Sequence, residues 1–199
     1  MAKNKKAEVF EYNGTNWSDK GMPIYGDLST TSSDRLGESV DISNDGNRIV
    51  IGAPENDGSS NASGHVRIYE NINGAWYQIG QDIDGESTFD NIGYSVSISS
   101  DGEYITAGSE DNIYLFDKDS STPLWSTGRS MNTDLSDSDA SFIGEDSSDH
   151  SGYSVSGVGD VNGDGYDDLI IGAYRNDDGG DSAGQTYLIL GRYASTSLI

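Results

Sequence analysis

The side chains best suited to chemistry lie in one nine-residue segment near the carboxyl end, residues 160–168. Four oxygen-bearing side chains occupy its first, third, fifth and ninth positions: Asp160, Asn162, Asp164 and Asp168. Because alternate residues of a tight loop point inward, these side chains can converge on one hard cation, and the Tyr166 carbonyl can add another oxygen. Ca²⁺ takes six to eight oxygen ligands. The spacing therefore predicts a calcium site, with Gly165 allowing the sharp turn.

An EF-hand loop begins in the same way, so the residues after the loop distinguish the two kinds of site. An EF-hand needs a bidentate acid at its twelfth position, where this chain has Ile171. The surrounding residues 169–173 are apolar, partly β-branched and include a glycine. This run predicts a buried strand and not an exiting helix. The loop is therefore predicted to join two β-strands.

The chain repeats one unit at a spacing of 59 residues, which three glycines mark: Gly26, Gly85 and Gly144. Each unit contains a segment of alternating apolar and polar residues, which predicts a half-buried strand: 36–43, 92–99 and 151–157. An apolar strand is predicted after a turn: 48–53, 104–108 and 169–173. A third strand is predicted next: 65–69, 113–116 and 186–190.

The turn between the first two predicted strands differs among the units. The first two units close it with Asp45-Gly46 and Asp101-Gly102, which are strong hairpin-turn signals. The third unit inserts five residues there, and the lengthened turn becomes the calcium loop. One calcium site of this type is predicted, not three.

These units predict an all-β chain of about three β-propeller blades, each a four-stranded antiparallel sheet. A fourth strand around Trp76 or Trp125 carries the chain to the next unit, and residues 127–151 are predicted to form a surface loop rich in Ser and Asp. The predicted boundaries are 1–26 for the end strands of a preceding blade, 27–85 for blade 1, 86–144 for blade 2 with its Ser/Asp-rich loop, and 145–199 for an incomplete blade 3 with the calcium loop.

Three blades are fewer than the four to eight of most closed propellers. Three alternatives follow: a fragment of a longer propeller, one completed by other copies of the chain, or an unusual small closure in which the end strands pair. The first two are favoured, because unpaired blade edges are sites of association.

The composition limits the partners. The chain has 34 acidic and 11 basic residues and a formal charge of −23. This field repels phosphate backbones and anionic lipid, which argues against nucleic acid as a partner. No apolar run reaches membrane-spanning length, so no membrane insertion is expected. The absence of cysteine excludes disulfides and thiolate metal sites. The basic start, residues 1–6, is followed by no apolar stretch and does not predict a signal peptide.

The repeated segments resemble the FG-GAP repeats of integrin α-chains and many bacterial surface proteins. The third copy, 151–174, is the closest match, and the first copy matches through Ile51-Gly52-Ala53-Pro54. The resemblance implies that Ca²⁺ is bound by the side chains of Asp160, Asn162, Asp164 and Asp168 and by the Tyr166 carbonyl. It implies an extracellular, cell-surface or virion-displayed module for adhesion or recognition, with a protein or glycan ligand, and no catalysis.

Two other functions stay open from the sequence. The chain can be a structural building block that joins further copies of itself through blade edges into a fibre, lattice or particle. It can also be an accessory domain of a secreted hydrolase.

The remaining chemically interesting residues are predicted to be structural. His65 and His150 are the only histidines, and a His-based triad or zinc site would need partners that the sequence cannot place. Trp17 and Trp76 are also 59 residues apart. Together with Trp125, they are predicted to be packing anchors of the blades and not a glycan-binding surface.

Overall fold

The computed structural model describes residues 6–27, 34–57, 60–117, 140–146 and 148–191. These residues form fifteen β-strands and no helix, and every pair of neighbouring strands in the five sheets is antiparallel. The all-β prediction is confirmed, and the sheets are compatible with partial propeller blades. Within this described part, no helix is long and apolar enough to span a membrane.

Two small sheets form the amino-terminal end. Strand β1 (Lys6–Ala7) pairs with β4 (Ile24–Tyr25), and β2 (Phe10–Tyr12) pairs with β3 (Trp17–Asp19). Because β1 and β2 are nearly continuous in sequence, as are β3 and β4, the four strands resemble one interrupted hairpin.

Three larger sheets follow in chain order, and we call them the first, second and third blades. The first blade contains β5 (Ser39–Ile42), β6 (Arg48–Ala53), β7 (His65–Ile72) and β8 (Ala75–Asp84). The second contains β9 (Ser95–Ile98), β10 (Tyr104–Gly108), β11 (Asn112–Asp117) and β12 (Ala140–Ile143). The third contains β13 (Ser151–Gly159), β14 (Asp168–Ala173) and β15 (Gln185–Ile189). In each blade the strands lie side by side in chain order.

The fourth strand of the second blade corrects one prediction. Residues 140–143 form β12, although they fall in the segment predicted to be a surface loop. The repeated glycine explains this strand, because Gly144 follows β12 directly, just as Gly85 follows β8. Phe142 pairs with Ile113 and supplies the apolar residue that the blade needs at this position. Trp125 and most of the predicted loop lie outside the described residues.

The blades stack face against face. On β6, neighbouring residues point to opposite faces, as the two-residue period of a strand requires. Val50 packs in a core with Val96 and Phe116 of the second blade. Ile51 packs in a second core with Ile24 and Leu36, which lie on the amino-terminal side. Fully burying each such side chain contributes about 1.5–3 kcal/mol, so both faces of the first blade stabilise the stack.

A close backbone contact recurs where one blade meets the next. The Ser39 hydroxyl donates a hydrogen bond of 2.7 Å to the Gly93 carbonyl, and the Ser95 hydroxyl donates one of 2.6 Å to the Gly152 carbonyl. In each case the serine pairs directly with a glycine of the neighbouring strand, Gly52 or Gly108. The carbonyl lies over that glycine, where no side chain fits.

Candidate metal centre

The predicted calcium loop joins β13 to β14, which are antiparallel neighbours. The pairing ends at Gly159 and Asp168, so residues 160–167 form the connection of a β-hairpin. Asp168 is buried at the start of β14, whereas Asp160, Asn162, Asp164 and Tyr166 are exposed. No helix flanks the loop, which agrees with the argument against an EF-hand.

The loop is held by hydrogen bonds between its own side chains and backbone. One Asp160 oxygen accepts from the N–H groups of Gly163 and Asp164 at 2.6 and 3.0 Å, and its other oxygen accepts from Gly165 at 2.7 Å. These bonds, with that from Gly165 the strongest, lower the pKa of the Asp160 carboxyl. Gly163 and Gly165 both have left-handed backbone angles, with φ of 78° and 93°, which glycine adopts without strain.

Two further loop side chains accept backbone hydrogen bonds. The Asn162 carbonyl oxygen accepts from the Asp164 N–H at 2.9 Å, and an Asp164 carboxylate oxygen accepts from the Tyr166 N–H at 3.0 Å. The Asn162 amide also donates to the second Asp164 oxygen at 2.9 Å. These bonds bring Asn162 and Asp164 together within the loop.

Asp168 anchors the loop to the blade. One of its oxygens accepts from the Val161 N–H at 2.8 Å, and the other accepts from the Gly191 N–H at 2.8 Å. Val161 lies at the start of the loop, and Gly191 lies beyond β15. The buried carboxylate therefore connects both ends of the loop to the far edge of the third blade.

The donor set suits a hard cation, although its three carboxylates, Asp160, Asp164 and Asp168, do not form a tight group. Among the described residues, the only set of three acidic or histidine side chains with ligand atoms within 4.8 Å of one another lies elsewhere. No described Lys or Arg forms an ion pair with Asp160, Asp164 or Asp168. Each carboxylate oxygen has two lone pairs, so most retain one after bonding to the loop. An all-oxygen, negatively charged set fits Ca²⁺.

The tight group, which the sequence did not predict, consists of Asp27, His65 and Asp82. Arg67 lies between its two carboxylates, with Nη2 at 2.9 Å from Asp27 and 2.6 Å from Asp82. The guanidinium offers the positive charge that a metal would supply, so the group is an ion-pair network and not a second metal centre. The sequence signal for this group is limited to β7, where His65 and Arg67 are two residues apart and therefore lie on the same face of the strand.

Burial shifts two titrations around this network. Burial, reinforced by Arg67, lowers the pKa of His65 to about 4. Burial, followed by repulsion from Asp82, raises the pKa of the neighbouring Asp84 to about 6. His65 and Asp84 are directly paired residues of β7 and β8. Burial therefore disfavours the charged form of both groups.

The tryptophan prediction holds for Trp76 and is wrong for Trp17. Trp76 packs against the core on the amino-terminal side, and its indole N–H donates to the Lys20 carbonyl at 2.5 Å. Trp17 is 69% exposed, with its ring 5.2 Å from that of Tyr12. The short hairpin of β2 and β3 lies where no described residue covers Trp17.

The fold and the loop define a class of protein, a repeat protein built from stacked β-blades of which one carries an oxygen-lined hairpin loop. Two segments of the chain match the FG-GAP repeat, residues 29–69 and 151–189. The chain therefore contains FG-GAP repeats, as the resemblance predicted. No curated protein sequence matches the chain significantly.

The second match covers all three strands of the third blade and the loop between β13 and β14. FG-GAP repeats form β-propeller-type modules for recognition or structure, and they occur mainly in extracellular or cell-surface proteins.

Proposed function

We propose that this chain is a calcium-stabilised recognition or adhesion module of an extracellular, cell-surface or virion-displayed protein, and that it is not an enzyme. The observation that carries the proposal is the loop of residues 160–168, whose oxygen-bearing side chains lie within an FG-GAP match. The side chains of Asp160, Asn162, Asp164 and Asp168, with the Tyr166 carbonyl, hold the ion.

The ion acts on the hairpin between β13 and β14. The carboxylates of Asp160, Asp164 and Asp168 have no described basic partner and repel one another, and a divalent cation removes that repulsion. Asp168 connects the loop to the rest of the blade, because its carboxylate accepts hydrogen bonds from both Val161 and Gly191. The ion thus makes one rim of the third blade rigid, and a rigid surface loses less conformational entropy when it binds a partner.

The charge of the chain indicates which partners it recognises. A formal charge of −23 repels polyanions. The partner is therefore a neutral glycan or a neutral or basic protein surface, and nucleic acid is disfavoured.

Thermal unfolding with calcium and with chelator tests the metal half of the proposal. A ligand that binds only the folded state stabilises it by about 2.7 kcal/mol at one hundred times its Kd. Calcium should therefore raise the Tm of the wild type by several degrees, and Asp164→Ala should abolish this response. Asp178→Ala is the matched control, because Asp178 is also exposed and acidic but lies outside the loop. Equal wild-type Tm values in calcium and in chelator would contradict the metal site.

Binding of the isolated chain to arrays of glycans and extracellular proteins tests the recognition half. Binding that needs calcium and fails in Asp164→Ala is the expected result. A calcium-stabilised wild type that binds nothing on either array would contradict recognition while leaving the metal site intact.

A second candidate function is a building block that assembles with copies of itself. It is favoured by the outer face of the third blade, which is the face that points away from the second blade. There Ser154 pairs with Gly172, as Ser39 pairs with Gly52 and Ser95 with Gly108. The other two pairs receive the glycine carbonyl of the next blade, whereas Ser154 is exposed. Leu188 is also 51% exposed on this face, and among the described strands β15 has a neighbour on one side only.

The molar mass in solution tests this second candidate. Self-assembly through the outer face predicts a mass that rises with concentration above the 21.2 kDa of one chain. Leu188→Lys should return the protein to one chain without lowering its Tm. A wild type that stays at the mass of one chain up to millimolar concentration would exclude the building block.

A further inference from the structure

A cavity of about 250 Å³ lies between the second and third blades. The second blade contributes Tyr104, Thr106, Leu115 and Phe142 to its wall. From the third blade come Gly157, Leu169 and Ile189, and from the candidate calcium loop come Tyr166 and Asp167. Tyr104 and Tyr166 are 42% and 41% exposed, which indicates that the cavity meets solvent near these two rings.

The cavity exists because the third blade has smaller side chains than the second blade at equivalent positions. In the equivalent gap between the first and second blades, larger side chains fill the space. In the second blade, Ile98, Ile105 and Phe116 form one row across neighbouring strands and pack into that gap. The corresponding row of the third blade is Gly157, Leu169 and Ile189. An isoleucine side chain is therefore missing at Gly157, and a phenyl ring is replaced by a smaller side chain at Ile189.

The wall on the other side of the cavity, which the second blade contributes, also differs from the equivalent wall of the filled gap, which the first blade contributes. Val50 faces the filled gap from the first blade, two residues before Gly52. The second blade has Thr106 at the same place, two residues before Gly108. Thr106 is 5% exposed, and its hydroxyl has no hydrogen-bond partner among the described residues. A buried hydroxyl without a partner destabilises the fold. The second blade therefore has an unsatisfied polar group beside the cavity where the first blade has an apolar packing residue.

We propose that this cavity binds a small neutral molecule that has one apolar ring and one hydroxyl group. The apolar wall of Leu115, Phe142 and Leu169 takes the ring, and the hydroxyl pairs with Thr106. A cavity of about 150 Å³ accommodates benzene, so the space here suits a single substituted ring. The Asp167 side of the wall and the net charge of the chain exclude an anion.

Binding of p-cresol and toluene tests the proposal, because the two molecules share a methylated ring and differ by the hydroxyl. Ligand titrations followed by NMR of the whole chain measure both affinities. We expect p-cresol to bind more tightly than toluene. Thr106→Val, which keeps the volume and removes the hydroxyl, should weaken p-cresol binding about tenfold, as the loss of one hydrogen bond does, and leave toluene binding unchanged. An equal loss for both molecules, or no loss for either, would overturn the role of Thr106.

A filled variant tests the cavity itself. Gly157→Ile restores the isoleucine of the second blade, and Gly157 tolerates a side chain, because its φ is not left-handed and the nearest atom to an added Cβ is the Ser97 hydroxyl oxygen at 3.6 Å. Gly157→Ile should bind neither molecule and melt no lower than the wild type. If Gly157→Ile does not fold, Ile189→Phe gives the same test from β15. A wild type that binds neither molecule, or a folded filled variant that binds as the wild type does, would overturn the proposal.

Discussion

The Ser39 hydroxyl donates a hydrogen bond of 2.7 Å to the Gly93 carbonyl across the boundary between the first two blades. This bond holds the carbonyl above Gly52, the residue that pairs with Ser39 in the neighbouring strand. A Cβ atom on Gly52 would overlap the carbonyl oxygen, and the same holds for Gly108 beneath the Gly152 carbonyl. Neither Gly52 nor Gly108 has a left-handed φ. The need for glycine therefore comes from the stacking of blades and not from the backbone angle.

Substituting these glycines by alanine should destabilise the stack. In Gly52→Ala and Gly108→Ala the new methyl group forces two backbones apart, and an overpacked site of this kind costs about 1–3 kcal/mol or more. The free energy of unfolding from denaturant titration measures this loss.

Gly172→Ala is the matched control for these two variants. The only close contact of a Cβ on Gly172 is with the exposed Ser154 hydroxyl, which can rotate away. We expect Gly172→Ala to stay within about 0.5–1 kcal/mol of the wild type. Equal losses in all three variants would show that the contact between blades is not the cause.

The two described tryptophans should differ sharply in their effect on stability. Trp76→Ala removes packing against the core on the amino-terminal side and the hydrogen bond to Lys20, so a loss of about 2–4 kcal/mol is expected. Trp17→Ala removes a ring that is 69% exposed and should cost less than about 1 kcal/mol. Denaturant unfolding measures both losses, and the reverse ranking would contradict the assigned packing.

Buried His65 by itself should contribute a loss of stability in mild acid. Its pKa is about 4 in the folded state and about 6.5 when unfolded. Between these values the unfolded chain takes up a proton that the folded chain does not, so stability is full above pH 6.5 and is lost as the pH falls toward 4. The loss is roughly 3 kcal/mol, and His65→Gln should remove it. Unfolding free energies measured from pH 4 to 7 check this, and parallel curves would refute it.

Asp84 has the opposite dependence on pH in nearly the same range. Its pKa of about 6 in the folded state exceeds the usual value of about 3.9. The folded chain therefore binds the proton more tightly, so stability increases as the pH falls from 6 to 4. His65 and Asp84 thus offset each other in the wild type.

Asp84→Asn separates the Asp84 contribution from that of His65. The difference in unfolding free energy between Asp84→Asn and the wild type should change by roughly 3 kcal/mol between pH 6 and pH 4. The change should disfavour the variant as the pH falls. The same unfolding titrations measure it, and a difference independent of pH would contradict the raised pKa.

Local patterns predicted much of the fold. The glycines at a spacing of 59 residues and the alternation of apolar and polar residues in each unit indicated sheets. This signal is local, because successive residues of a strand point to opposite faces of the sheet. The insertion in the third unit placed an oxygen-rich loop between two strands, and that loop joins β13 and β14. The prediction of a surface loop over 127–151 was wrong at β12. The Ser/Asp-rich composition of this segment indicated a loop, whereas the repeated glycine at Gly144 marks the end of a strand.

The sequence by itself determined that this chain folds into repeated β-sheets with one acidic hairpin loop, because strand period, turn residues and repeat spacing are local properties. The tertiary structure decided which residues meet between sheets. Gly52 lies beneath Gly93, Arg67 joins Asp27 to Asp82, and Gly157 leaves a space where Ile98 fills the previous gap. These contacts connect residues far apart in the chain, and no local period encodes them. They depend on how one twisted sheet packs on the next.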